Sequence, residues 1–124
     1  MKYSRLGFLA VLLLQAETGK GADFAWTQCT KVVSVVNYLP FSGEVFVTLS
    51  AAPPGCNGEI LHVPNTIPFR IGKNGVNDNN IASLLDVALA AYSSGHKVLI
   101  AYDPTTPACF GAAIALGGTK GDCP

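Results

Sequence analysis

The chain has 124 residues, with eight basic and eight acidic side chains and a formal net charge of zero. This balance leaves no strongly basic surface, which argues against a nucleic-acid-binding protein and against a polybasic membrane-binding surface. Hydrophobic residues make up 49% of the chain, which excludes a disordered protein. We therefore expect one domain with one core and no nucleic-acid partner.

The first predicted element is a signal peptide over residues 1–21. Lys2 and Arg5 precede an apolar run of nine residues, 6–14, and small residues follow. This order is typical of a secreted or periplasmic protein, and a membrane span would need about 20 apolar residues. We expect cleavage to leave a mature domain over residues 22–124 with a formal charge of −2 and no membrane span. The alternatives are a cut after Ala16 and a short buried helix at the start of the fold.

Two strands joined by a turn are predicted next, over residues 31–39 and 44–50. Both are rich in the branched and aromatic residues that favour strands, and residues 40–43 (PFSG) are typical of a turn. A third strand is predicted over residues 59–64, after a loop with two prolines and an Asn-Gly pair. Phe69–Ile71 is predicted to be either a short strand or an extension.

A helix is predicted over residues 81–94. Asp78 or Asn80 is expected to cap it by accepting a hydrogen bond from a free backbone N–H. Gly95 is expected to end it, because glycine readily adopts the left-handed conformation found after helices. Its core-facing stripe has helical spacing and consists of Ile81, Leu84, Leu85, Ala88 and Tyr92.

The same helix has further apolar residues off that stripe. In a small domain little else is left to cover them, so a contact with another copy or a partner is predicted for Val87, Leu89 and Ala90. The alternative is a monomer, because exposed alanines and a single exposed leucine need no partner.

Two more strands follow, over residues 97–103 and 110–118. The order of strand, strand, strand, helix, strand, strand is that of the five-stranded OB barrel, in which one helix lies between strands 3 and 4. We therefore predict a mostly β fold of this type, an OB-like domain over residues 22–124, with an open α+β sandwich as the alternative.

The sequence contains no recognisable catalytic or metal-binding motif. G-x-S-x-G, H-E-x-x-H and the EF-hand loop do not occur. His62 and His96 fit a strand face and a helix end, and Asn77–Asn80 fits capping and turn formation better than a calcium site. We predict a non-enzymatic protein that uses no metal and no cofactor.

Candidate ligand-binding residues are polar and aromatic side chains near strand ends, because OB barrels bind ligands on one face and in the flanking loops. They are Tyr38, Phe41, Ser42, Asn65, Thr66 and Arg70. Aromatic rings suit the apolar CH faces of sugars, and hydroxyl or amide groups suit sugar hydroxyls. The alternative is that Tyr38 and Phe41 are core residues at a strand end.

Four cysteines remain in the predicted mature chain: Cys29, Cys56, Cys109 and Cys123. An even number in an exported domain favours two disulfides. The wide spacing between them argues against the common kinds of zinc site. The residues alone leave three pairings open.

The stretch LLDVALAAYSSGHKVLIAYDP, residues 84–104, resembles part of the B subunits of subtilase cytotoxin and typhoid toxin. Those subunits have a Leu- and Ala-rich helix, an aromatic residue, a [ST]-[ST]-G stop and a V-x-I strand. This similarity covers residues 80–103. The chain is also similar, over residues 31–116, to small exported bacterial proteins that have a cysteine in the loop before the last strand.

The resemblance to the toxin subunits implies an OB barrel, a homo-oligomer in the form of a pentamer and a sialylated cell-surface glycan as ligand. Residues 41–43 (FSG) resemble a toxin stretch with a sugar-contacting serine. Here the triplet lies between the first two strands, whereas in the toxin it opens the first.

The resemblance to the second group implies that Cys56 pairs with Cys109 and Cys29 with Cys123, with Cys29–Cys56 as the rival pairing. It also leaves an alternative function, that of a periplasmic or secreted structural or accessory protein without a carbohydrate ligand. In that alternative the chain is a monomer, and Phe24 and Trp26 cover the second face of the helix.

Overall fold

The structure is a computed structural model that describes residues 24–56 and 65–117. Its elements in chain order are β1 (Ala25–Trp26), β2 (Thr30–Tyr38), α1 (Leu39–Ser42), β3 (Glu44–Leu49), β4 (Thr66–Arg70), α2 (Ile81–Ser94), β5 (Lys97–Tyr102) and β6 (Gly111–Leu116). The predicted signal peptide and the strand predicted over residues 59–64 lie outside the described residues. Neither helix in the described ranges is long and apolar enough to cross a membrane.

The six strands form one antiparallel sheet. β5 pairs with β6 along one edge and with β1 and the start of β2 along the other. The rest of β2 pairs with β3, and β3 pairs with β4. The predicted mostly β fold is confirmed. Within the described residues no ladder joins β4 to β6, so the sheet is not closed and the five-stranded barrel is not confirmed.

On the side away from β2, β3 pairs with β4, which begins three residues before the short strand predicted at Phe69–Ile71. Pro68 lies inside β4, where a proline argues against a strand because it has no N–H to donate. The strand tolerates this proline because β4, within the described residues, is an edge strand that pairs with β3 alone.

The core lies between the inner face of the sheet and α2. Along β3, Val45, Val47 and Leu49 are buried while their neighbours are partly exposed, because successive side chains of a strand point to opposite faces. The described core includes Val32, Val45, Val47, Leu49, Ile67, Phe69, Val98, Ile100 and Tyr102 from the strands, and Ile81, Ala88 and Ala91 from α2.

Both ends of α2 lie where the sequence predicts them. Gly95 has φ 77° and its N–H donates to the Ala91 carbonyl, which confirms the predicted stop. Asn80 occupies the N-cap position, but the predicted capping bond is wrong. The Asn80 amide bonds back to the preceding loop instead: its Oδ1 accepts from the Asn77 N–H at 2.9 Å and its Nδ2 donates to the Gly75 carbonyl at 2.9 Å.

The buried face of α2 differs from the predicted stripe at one position. Ile81 and Ala88 are buried, and Leu84 and Leu85 pack partly against the core. The prediction for Tyr92 is wrong, since this residue is 54% exposed. Ala91 is buried in its place. The buried face of α2, which packs on β2 and β6, therefore includes Ala91 and not Tyr92.

A disulfide joins the loop after β3 to the loop before β6. The Cys56 and Cys109 sulfurs are bonded, and their Cα atoms lie 5.9 Å apart. The Cys56–Cys109 pair implied by the resemblance is therefore confirmed, and the rival Cys29–Cys56 is wrong. Cys29 is also disulfide-bonded; Cys123, its predicted partner, lies outside the described residues.

The residues beside the disulfide strengthen this junction. The Tyr102 hydroxyl donates to the Pro54 carbonyl, and burial raises the pKa of Tyr102 above its usual value of 10.0. Two residues after Cys109, β6 approaches β4 so closely that a Cβ on Gly111 would clash with the Phe69 ring. Only glycine fits this position without moving the core.

Candidate functional site

Three strands present one row of side chains at the turn between β2 and β3. The registers place Tyr38 opposite Glu44, and Glu44 opposite Arg70. Paired residues share a face of a sheet, and neighbouring strands lie about 4.8 Å apart. The row lies on the outer face, opposite the buried Val45 and Val47, so it faces away from the core.

The turn itself is a short helix rather than an open loop. In α1, Pro40 occupies the first turn, where its fixed φ favours a helix. The Leu39 N–H donates to Asn37 Oδ1 at 2.9 Å, and Gly43, with φ 71°, donates from its N–H to the Tyr38 carbonyl at 3.3 Å. These bonds fix a turn that carries Phe41 at its tip.

Three aromatic side chains meet at this turn. The Tyr38 ring lies edge-on to the Phe46 ring at 5.3 Å and to the Phe41 ring at 6.5 Å, measured between ring centroids. Phe41 is 85% exposed and Tyr38 is 42% exposed. The alternative prediction for Tyr38 and Phe41 was a core position at a strand end. The structure places both residues at the surface.

A carboxylate organises the polar side chains beside the rings. The Ser42 hydroxyl donates to Glu44 Oε1 at 3.0 Å, and Arg70 Nε lies 3.8 Å from Glu44 Oε2. Glu44 is the less exposed partner, with 17% of its side chain accessible against 48% for Arg70. Together these residues form one surface, the turn cluster, which consists of Tyr38, Phe41, Ser42, Glu44, Phe46 and Arg70.

Four of the six predicted binding residues belong to the turn cluster, and two do not. Thr66 and Asn65 lie at the opposite end of β4 from Arg70. Thr66 is 3% exposed, and its hydroxyl lies 2.8 Å from that of Thr48. The Asn65 carbonyl accepts from the Leu49 N–H at 2.8 Å. These two residues therefore form hydrogen bonds between β3 and the start of β4.

Sequence reasoning missed Glu44 and Phe46. The signal for both lies in the segment EVFVTL of β3. Its period of two places Glu44, Phe46 and Thr48 on the face opposite the three branched apolar residues. Pairing β2 with β3 across a short turn then brings Glu44 beside Tyr38.

The predicted oligomer face divides into two flanks of α2. Val87 and Leu89 are two residues apart, which separates them by about 200° around a helix of 3.6 residues per turn. Val87 lines a groove of about 210 Å³ between α2 and β6, with Asn80, Ser83, Leu84, Ala112, Ala113 and Ile114. Leu89 is 42% exposed on the other flank, and Ala90 is exposed between the two.

The second flank carries an apolar stripe that the sequence analysis did not identify as one surface. Leu85, Leu89 and Tyr92 have the spacing i, i+4 and i+7, so they lie above one another on the helix. Leu85 is half-buried, whereas Leu89 and Tyr92 are exposed. We call these three residues the outer flank.

Trp26 does not lie where the monomer alternative needs it. Trp26 pairs with Ala101, whereas its neighbour Ala25 packs on the core that α2 also covers. Alternation along β1 therefore directs Trp26 to the face opposite α2. Phe24 is 46% exposed and Trp26 is 55% exposed.

The titratable side chains of the described ranges are the candidates for a metal site. Within residues 24–56 and 65–117, no group of three or more His, Cys, Asp or Glu side chains is placed to hold a metal ion. His96 and Asp86 are exposed, and the buried Asp103 accepts hydrogen bonds from Thr105. His62 lies outside the described residues. Asn77 and Asn80 use their side-chain oxygens on backbone N–H groups of their own loop.

Compared with known protein families, with curated proteins and with solved structures, the chain has no match. The resemblance to the toxin B subunits therefore stays a prediction from the sequence.

Proposed function

We propose that the protein is an exported, non-enzymatic binding protein that recognises carbohydrate through the turn cluster. The observation that carries this proposal is Phe41, 85% exposed, beside the partly exposed ring of Tyr38 and the polar groups of Ser42, Glu44 and Arg70. An exposed aromatic surface can stack on the apolar face of a sugar ring. Hydroxyl, carboxylate and guanidinium groups beside it can bond to sugar hydroxyls in several directions.

The sheet supports an OB-type architecture as part of this proposal. β2 pairs with β5 over its first residues and with β3 over the rest, so this long strand passes from one half of the sheet to the other. Long shared strands of this kind occur in small, partly open barrels, which bind ligands on one face and in the loops around it. The turn cluster occupies such a loop and the strand ends beside it.

We propose further that copies of the chain associate through the outer flank. Leu89 and Tyr92 expose apolar surface side by side, and no charged residue separates them along the stripe. Exposed apolar patches of this kind are typical of protein–protein contacts. The pentamer that the resemblance implies is one assembly compatible with this contact.

A glycan array tests the carbohydrate proposal. The wild-type domain is expected to bind a defined set of glycans, and Phe41→Ala is expected to lose them. Phe24→Ala is the matched control, because it removes a second exposed phenylalanine outside the turn cluster. Retained binding by Phe41→Ala would contradict the proposed site.

The accessory-protein alternative predicts a different set of results. A protein without a carbohydrate ligand binds no glycan on the array at any concentration used. If it is also monomeric, light scattering or native mass spectrometry reports the mass of one chain across micromolar concentrations. Both results together would replace the proposed function by the alternative.

A further inference from the structure

The charge arrangement of the turn cluster bears on the class of sugar that fits it. Glu44 is the middle residue of the row, with Tyr38 on one neighbouring strand and Arg70 on the other. Strands lie about 4.8 Å apart, so a monosaccharide that covers the row contacts the carboxylate as well as both neighbours. The ligand therefore meets a negative charge at the centre of the site.

Glu44 opposes the positive charge of Arg70, so the pair has no net charge to balance an acidic ligand. Arg70 Nε lies 3.8 Å from Glu44 Oε2, so the cluster contains one acid and one base that already face each other. Lys31, the basic residue of β2, lies at the far end of that strand, seven residues from Tyr38. Lys73, three residues after Arg70, has its Nζ 5.5 Å from the centroid of the Phe110 ring. A carboxylate on the ligand would approach a like charge, and such juxtapositions strongly disfavour binding.

A neutral sugar fits the same groups better. Sugar hydroxyls can donate to Glu44, which accepts hydrogen bonds and holds one from Ser42 already. The contact with Glu44 uses Arg70 Nε, and four of the five N–H donors of an arginine sit on its terminal nitrogens. Those donors suit the oxygens of neutral hydroxyl groups, while Phe41 covers the apolar face of the ring.

We infer that the turn cluster selects neutral, hydroxyl-rich saccharides and that the Glu44–Arg70 pair disfavours sialylated and other acidic glycans. This inference rests on the proposed function, because it assigns a ligand class to the same site. It departs from the sialylated ligand that the resemblance to toxin subunits implies, and the two expectations are therefore separable by experiment.

The experiment compares each neutral glycan with its sialylated counterpart, using immobilised pairs that differ in the terminal sialic acid alone. Wild-type protein is expected to bind the neutral member at least about tenfold more tightly. Glu44→Gln keeps a side chain of the same shape and frees Arg70, so it is expected to reduce this preference about tenfold or more. Asp86→Asn is the matched control, since it removes one negative charge from the exposed face of α2 and should leave the preference unchanged.

The possible outcomes separate the two proposals. Binding of neutral glycans with a preference lost in Glu44→Gln and kept in Asp86→Asn supports the inference. A wild-type preference for sialylated glycans overturns the inference and leaves carbohydrate binding intact. Equal effects of the two substitutions also overturn it, because the preference would then follow net charge. Absence of binding to every glycan overturns the proposed function and the inference together.

Discussion

Two regions of this small protein use aromatic and polar side chains in opposite ways. In the disulfide region, which consists of Pro54, Cys56, Tyr102 and Cys109, the ring of Tyr102 is buried and its hydroxyl bonds to the chain. In the turn cluster, the rings of Tyr38 and Phe41 are exposed, and the polar groups beside them face outward. The comparison indicates that one region stabilises the fold and the other is available to a ligand. Substitutions should therefore separate loss of stability from loss of binding.

Removal of the disulfide should have the largest effect on stability. Cys109→Ser opens the link between loops that are 53 residues apart in sequence. Loss of a native disulfide in a small domain costs about 2–5 kcal/mol of unfolding free energy. Urea unfolding without reductant measures the loss, and wild-type protein in reductant is the comparison. An unchanged unfolding midpoint would contradict a stabilising role for the disulfide region.

The close approach of β6 to β4 should be the next most sensitive point. Gly111→Ala places a Cβ against the buried Phe69 ring, and overpacking of a core costs about 1–3 kcal/mol. Phe69→Leu removes ring atoms at that contact, so the double variant should lose less stability than the sum of the single variants. Denaturant unfolding of all four proteins measures this coupling. Additive losses would mean that the two residues do not contact each other.

Tyr102→Phe should have a smaller and pH-dependent effect. It removes the bond to the Pro54 carbonyl, which is expected to cost about 1 kcal/mol near neutral pH. Burial raises the pKa of Tyr102, so the unfolded chain loses this proton first as the pH rises. The stability that this linkage contributes is complete below the unfolded value of about 10 and decreases as the pH rises through the folded pKa. Unfolding free energies across this range should therefore decline more steeply for wild-type protein than for Tyr102→Phe, and parallel declines would contradict the linkage.

The outer flank of α2 should affect assembly more than stability. Leu89→Glu is expected to dissociate the proposed oligomer, while the free energy of unfolding of the isolated chain changes by less than about 0.5 kcal/mol. Ala90→Glu introduces the same charge at the next residue, which lies outside the outer flank. This variant should therefore leave the assembly intact. Native mass spectrometry distinguishes the two. Dissociation by both variants would move the interface to the broader face predicted from the sequence.

The sequence predicted features that depend on residues close together in the chain better than features that depend on packing between distant elements. The bounds of α2 follow from a long periodic pattern and a glycine stop, and both are local. The exposure of Tyr92 could not be predicted, because it depends on how α2 packs on the sheet, which buries Ala91 instead. The same holds for the proposed binding surface. Tyr38, Phe41 and Ser42 are close in sequence, and the structure places them in one cluster. Arg70 and Thr66 lie at opposite ends of β4, and the strand register brings only Arg70 beside Glu44.

The most direct test of the account is a titration of Phe41→Ala with the best-bound glycan of the array, combined with thermal unfolding of the same sample. Phe41 is 85% exposed, so its loss should leave the unfolding temperature within experimental error of wild type. We predict at least about tenfold weaker glycan binding, equivalent to about 1.4 kcal/mol. Unchanged affinity in the folded variant would contradict the account, because the turn cluster would then not be the binding site.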